Sequence, residues 1–239
     1  MLLAEKSAAK TRAKTGIPGE DAFWWEKMGA VRAPSRPKTE GKMKLILASG
    51  SQRRRELLTM CGYDYEIVVS RADEHIAESD PGLYVTALAV RKAAEVFGRL
   101  GGKTEDGAEI AVLGSDTVVY SEGNIIGKPK DEEDAKRILA YLSGRTHTVY
   151  TGVAVVTKEG VRTELGTTEV TFEKLTEEEI EKYVASGEPM DKAGAYGIQG
   201  PFGMFVKEVK GNYFTVIGLP LPSAYRLLKE AGVLPRDFR

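Results

Sequence analysis

The sequence predicts an α/β protein built on a mixed sheet, parallel in its first part and antiparallel in its second. Three observations carry that expectation. From Lys44 onward, short apolar runs alternate with helical patterns. The connections between them are short. The later apolar runs alternate residue by residue toward a turn and return, as hairpins do.

The elements follow in order. KLILAS, from Lys44, is a short buried strand, and RRELLTMC (53–61) is a helix with Leu57, Leu58 and Cys61 on one face. YEIVVS (65–70) is a second strand. Residues 81–99 form a helix that opens on Pro81, with Leu83, Ala87, Val90 and Ala94 recurring at helical spacing. IAVLGSDTVVY (110–120) is an apolar strand that Gly-Ser-Asp-Thr is expected to interrupt, and NIIGKP is a short strand stopped by its proline. DEEDAKRILAYLSG (131–144) is a helix with an acidic first turn, which the dipole favours, and Gly144 closes it. THTVYTGVAVVTKEG and VRTELGTTEVTFEKL make the hairpin. TEEEIEKYVASG (176–187) begins with a capping box, Thr176 and Glu179. GMFVKEVKG is a strand, and an amphipathic helix through PSAYRLLKEAGV ends the chain.

Residues 1–42 stand apart, thin in apolar residues and rich in Pro, Lys and Arg. They lack the apolar core of a secretory signal. They are expected to be a flexible N-terminal extension, with a short docked helix around Trp24 and Trp25 as its one packing stretch. The basic, Ser/Thr-containing start has a slight likeness to a transit peptide, against which the early acidic residues count. The compact domain is expected over 43–239, beginning at Met43.

Composition removes several classes of function. A formal net charge of −1 over 239 residues argues against a general nucleic-acid binder. No apolar stretch is long enough to span a bilayer. The lone cysteine, Cys61, allows no internal disulfide and fits a cytoplasmic protein. Two histidines, His75 and His147, are too few for a His-based zinc site, and both read as structural or loop residues. No G-x-S-x-G elbow is present.

Polar residues gather where apolar elements end. ASGSQRRR places small residues and arginines at a strand-to-helix turn, where Arg53 and Arg54 can fork onto phosphate. Arginines in a first turn oppose the helix dipole, so an anion would relieve a conflict. An exposed basic turn is the plain alternative. LGSDTVVY puts Asp116 and Thr117 into a buried strand, where a carboxylate needs a partner, a metal or backbone donors. Lys128 precedes a helix in GKPKDEED, as a phosphate ligand or an ordinary surface lysine. DKAGAYGIQG exposes backbone and carries Gln199, whose amide can read an amide edge or simply belong to a glycine-rich loop. SRADEHIAESD reads as a solvated run in which Glu74 could help hold a cation.

Taken together, ASGSQRRRELL, GSDTVV, GKPKDEEDA, SGRTHTVYTGV, EPMDKAGAYGIQG and GNYFTVIGLPL resemble, in order and spacing, the Maf family of nucleoside triphosphate pyrophosphatases. The resemblance runs from about Met43 to Val233. It implies an elongated α/β fold with two lobes around a central cleft, related to inosine triphosphate pyrophosphatases. It implies cleavage between the α and β phosphates with a divalent metal, Mg²⁺ or Mn²⁺, and often a homodimer. Ser51-Gln52-Arg53-Arg54, Asp116-Thr117 and Gly197-Ile198-Gln199-Gly200 match the subgroup that prefers dTTP and UTP, apart from Gln52 where that turn commonly has Pro. By resemblance Asp116 is the proton acceptor, and Arg53, Thr117 and Gln199 are specificity positions. Ser49, Arg54, Glu74, Lys92, Lys128 and Lys192 match polar residues lining the family cleft, with Glu74 and Asp116 as the metal candidates.

The chemistry of these residue types agrees with that implication. Arginines and lysines with a metal can neutralise charge as pyrophosphate leaves. A carboxylate is a weak base unless it acts beside a metal, so Asp116 stands open between general base and metal ligand. Gln199 offers a donor and an acceptor to the imide edge of thymine or uracil. Arg55 matches no family position and is expected to face water. The competing class is a nucleotide-binding regulator of cell division with little turnover.

Overall fold

The computed structural model describes residues 43–239, so the expectations for residues 1–42, including a docked helix around Trp24 and Trp25, lie outside the described residues. The elements are β1 (Lys44–Leu47), α1 (Gln52–Met60), β2 (Tyr65–Ile67), α2 (Pro81–Arg99), β3 (Ile110–Ser121), β4 (Asn124–Ile126), α3 (Glu132–Leu142), β5 (Thr146–Thr157), β6 (Gly160–Phe172), α4 (Glu177–Ala185), β7 (Val206–Gly211), α5 (Tyr213–Ile217) and α6 (Leu221–Glu230). One sheet runs β2-β1-β3-β5-β6-β7, with β4 added to β3. The pairings of β1 with β2 and β3 are parallel, and the rest are antiparallel. The expected mixed sheet is therefore present.

Period-two alternation sorts the strands into two faces. Leu45, Leu47, Ala111, Leu113, Val153 and Val155 point to one face, against Leu57 and Leu58 of α1 and Leu227 and Leu228 of α6. Further along the same face, Val119 and Val149 enter a second core with Ile138, Leu139 and Leu142 of α3 and with Phe172. Ile46, Val112 and Val156 point the other way, to Ala93 and Val96 of α2. Each fully buried leucine or isoleucine contributes about 2 kcal/mol. These cores set the sheet as a rigid floor.

Two expectations need correction. The buried row of α2 is Val85, Leu88, Ala89, Lys92, Ala93 and Val96, while Leu83 is 60% exposed. Both rows have helical spacing, and the strands below decide between them. A Cβ at Gly114 would lie 2.2 Å from the Ala89 carbonyl oxygen, and one at Gly152 would lie 2.4 Å from that of Val85. The helix backbone rests on two glycines, and this contact turns Lys92 toward the sheet. Nor does Gly-Ser-Asp-Thr interrupt β3, because Gly114 to Thr117 all pair with β5. The break is in the other neighbour. Pairing with β1 ends at Leu113, and pairing with β4 begins at Val119. Between them the β3 edge has no strand partner among the described residues, and the two cores flank the resulting gap on one face.

Candidate active site

A cavity of about 740 Å³ opens at this gap. It lies beyond the carboxyl end of β1, where ligands collect in open α/β sheets. Its walls come from 48–54, the bare β3 edge, Lys128 after β4, the 188–200 segment, and Val216 and Ile217 of α5. Ser49, Arg53, Arg54, Glu74, Lys92, Asp116, Thr117, Lys128, Lys192 and Gln199 all line it. The residues chosen from sequence therefore meet in one place.

Asp116 faces α2, where Lys92 Nζ donates to its Oδ1 at 2.7 Å. The same ammonium pairs with Glu74 Oε1 at 3.0 Å. Lys92 and Asp116 side chains are only 11% and 13% exposed, whereas that of Glu74 is 63% exposed. Lys92 therefore belongs mainly to Asp116, since an exposed carboxylate is screened by water. Burial, and then the charges of Asp116 and Glu74, push the Tyr84 phenol pKa up.

Arg54 is committed to the protein. Its Nε donates to the Gly218 carbonyl at 2.8 Å, Nη1 to Ser49 Oγ at 3.1 Å and Nη2 to Thr117 Oγ1 at 3.2 Å. Thr117 also meets Thr151 Oγ1 at 3.0 Å, and Thr151 donates to the Thr215 carbonyl at 2.7 Å. This network ties β1, α1, β3, β5 and α5 into one wall. Burial pulls the Arg54 pKa down, and the Asp116 charge works against that pull. Arg53 lies nearer the opening, with Nη1 donating to Asp191 Oδ2 at 2.8 Å and Nη2 to the Asp191 carbonyl at 3.2 Å. Lys192 Nζ donates to Asp191 Oδ1 at 2.7 Å and to the Glu188 carbonyl at 2.6 Å. Lys128 and Gln199 are exposed on the cavity wall.

Arg55 does not simply face water: its Nε is buried without a hydrogen-bond partner, and the residue is half-buried. Sequence reasoning missed Glu188 and Asp191, both of which line the cavity. Asp191 sits beside Lys192 in a stretch noticed for its glycines, and such a pair reads as a solvated loop. Gly197 and Gly200 lie against the end of the flexible Glu188 side chain, which would have to shift to admit a Cβ. A Cβ at Gly200 would stand 2.3 Å from Glu188 Oε1, and one at Gly197 would stand 2.7 Å from it. The histidines stay outside the chemistry. His75 is exposed and pairs with Asp73, while buried His147 shares a 2.9 Å hydrogen bond between Nε2 and the Tyr196 hydroxyl.

The charges lining the cavity balance. Arg53, Arg54, Lys92, Lys128 and Lys192 stand against Glu56, Glu74, Asp116, Glu188 and Asp191. Among the described residues no group of three or more His, Cys, Asp or Glu side chains could hold a metal by itself. No helix there is long and apolar enough to cross a membrane.

The family model described as Maf-like protein matches residues 44–231. A dTTP/UTP pyrophosphatase of Bacillus cereus (strain ATCC 10987 / NRS 248) is 48% identical over 199 residues, covering 83% of this chain and 95% of that protein. One from Bacillus cereus (strain B4264) is 50% identical over 191 residues, covering 80% and 96%. The solved Ham1 protein of Staphylococcus aureus is a distant likeness, with 14% identity and a TM-score of 0.40 over 54% of this chain and 71% of that one.

Proposed function

The chain belongs to the Maf family, and on that premise we propose that it hydrolyses dTTP and UTP to the monophosphate and pyrophosphate. One observation carries the reading: a carboxylate on a bare strand edge, fixed by a buried lysine at 2.7 Å, lies in a cavity that also presents Arg53, Lys128, Lys192 and Gln199. At about 740 Å³ the cavity has the size of a small-molecule site.

In this reading Lys92 holds Asp116 Oδ1, and Oδ2 accepts the proton of the water that attacks the α phosphorus. The bond to the bridging oxygen breaks and pyrophosphate leaves. Arg53, Lys128 and Lys192 at the cavity wall neutralise charge on the departing group. The Gln199 amide donates to a pyrimidine carbonyl and accepts from the imide N–H, which cytosine lacks. Arg54 keeps Thr117 and Ser49 in place and leaves phosphate contact to the other cations.

A divalent cation fits the donors. Two hard carboxylates, Asp116 and Glu74, converge on one ammonium, and the balanced wall charges leave no surplus to meet a triphosphate. Sites with one or two carboxylates completed by substrate phosphates suit Mg²⁺. When bound there by Asp116, Glu74 and phosphate oxygens, the ion would supply charge neutralisation and polarise the phosphoryl group. We further take residues 43–239 as the catalytic domain of a cytoplasmic homodimer, whose dimeric state light scattering on the full chain checks.

The test is a panel of nucleotides with Mn²⁺ and identification of products. Pyrophosphate release with dTTP and UTP preferred, and lost in Asp116→Asn, is the expected result. Orthophosphate release, or a flat or purine-biased panel, would overturn the reading.

A further inference from the structure

We propose that Asp191 is a positioning residue that holds the Arg53 guanidinium at the mouth of the cavity, oriented toward the phosphates of the nucleotide. The proposal rests on the pyrophosphatase reading for its substrates, and on geometry for its contact.

The contact answers a defect in α1. Its first turn contains three arginines among its first four residues and no acidic residue, and its N-cap, Ser51, makes no side-chain cap hydrogen bond. Positive charge at a helix N-terminus is unfavourable. Asp191, 138 residues away in sequence, supplies the missing negative charge. Both acceptors come from one residue: the carboxylate takes Nη1 and the carbonyl takes Nη2. Two parallel contacts to a planar fork fix its orientation, which one contact would leave free to rotate.

The segment is built to hold Asp191 in position. Residues Glu188–Asp191 form a 3-10 turn entered through Gly187 at φ +73° and anchored by buried Pro189. Lys192 Nζ closes the turn onto the Glu188 carbonyl and takes the second carboxylate oxygen of Asp191. The Gly194 N–H donates to the Gly127 carbonyl at 2.9 Å, which ties the segment to the loop carrying Lys128. Burial works against the Asp191 charge, yet the hydrogen bonds from Lys192 and Arg53 hold its carboxyl below the usual range. An exposed ion pair is ordinarily worth little. This one has a two-point fork, a fixed carboxylate and a helix terminus behind it, and the Arg53 side chain is only 25% exposed.

The experiment is a double-mutant cycle with Arg53→Ala, Asp191→Asn and the pair, reading kcat/KM for dTTP and for dCTP and the melting temperature. Asp191→Asn keeps the shape of the side chain and removes its charge. The expected result is a loss of about 10-fold in kcat/KM for dTTP, as charge-assisted hydrogen bonds of this kind allow. The loss should come mostly through KM and should be alike for dTTP and dCTP, since both carry the same phosphates. The pair should lose less than the product of the two single losses, the remainder reflecting the Lys192 contact to Asp191. An Asp191→Asn variant with unchanged kcat/KM, or losses that multiply in the pair, overturns the proposal. Absence of nucleotide hydrolysis by the unaltered protein would sink the pyrophosphatase reading instead. The melting temperatures then decide the contact, and additive shifts overturn it.

Discussion

Gly114→Ala tests whether the fold delivers Lys92 to Asp116 through the glycine floor. A Cβ at position 114 would lie 2.2 Å from the Ala89 carbonyl oxygen, 3.0 Å from Ala93 Cβ and 3.1 Å from Ala93 N. Ordinary contact begins near 3.4 Å, so α2 must lift by about 1 Å. The obstacle is helix backbone, which no rotamer change can move aside. Overpacking of a core costs about 1–3 kcal/mol, and a backbone clash belongs at the upper end. Lys92 follows Ala89 by three residues, so the lift stretches its 2.7 Å bond to Asp116. A displacement of about 1 Å at reacting groups can cost about 100-fold in rate. Urea unfolding followed through the transition, and pyrophosphate release at saturating dTTP, measure the two effects. Gly98→Ala is the control, because a Cβ there meets nothing within 4 Å in the same helix. It should gain up to about 1 kcal/mol in helix propensity and keep its turnover. A Gly114→Ala variant with the unfolding midpoint and turnover of the unaltered protein would refute the reasoning.

Lys92→Met retains the buried stem but strands Asp116, so it should lose about 3 kcal/mol of stability and most turnover. Urea midpoints no lower than those of the parent would count against the pair. Burial holds the His147 pKa down to about 4, against 6.5 for the free side chain. The unfolded chain therefore takes up a proton that the folded chain refuses. This contribution is complete above pH 6.5 and falls by about 3 kcal/mol as pH drops to 4. His147→Gln should flatten unfolding free energy against pH in that window, and an unchanged slope excludes the account. Excess chelator should stop nucleotide turnover, and Mg²⁺ or Mn²⁺ should restore it. Full turnover in chelator would remove the metal from Asp116 and Glu74.

Local signals in the sequence carried most of the fold. The capping box at Thr176 and Glu179 is present, and α2 begins at Pro81 and ends at Arg99 as its spacing implies. Choosing which row of α2 is buried required knowing what lies beneath it. Both rows have helical spacing, and Gly114 and Gly152 decide between them from other strands. Asp116 was noticeable because a carboxylate sat in an apolar run. From sequence it reads as a break in its own strand, since pairing limits of a neighbour leave no mark on the strand itself. Asp191 was invisible for a similar reason. Its partner Arg53 lies 138 residues away, and nothing near either residue announces the pairing.

The run Arg53-Arg54-Arg55 looks from sequence like a cationic patch awaiting an anion. In the fold it divides into a rim cation held by Asp191, a strut bonded to Ser49, Thr117 and Gly218, and a side chain with a buried, unpartnered Nε. The cavity as a whole has as many carboxylates as cations, and the chain carries a net charge of −1. Long-range attraction for a polyanion is therefore small, because steering needs a surplus of one sign. On the proposed function, recognition comes from short-range geometry: oriented N–H groups, an amide proposed to distinguish imide from amine, and a cation proposed to accompany the phosphates. Fixing Arg53 and Lys192 in place on Asp191 serves such a site better than adding unpaired lysines. Loose cations would bind any phosphate, whereas held ones favour the ligand whose oxygens meet them in position.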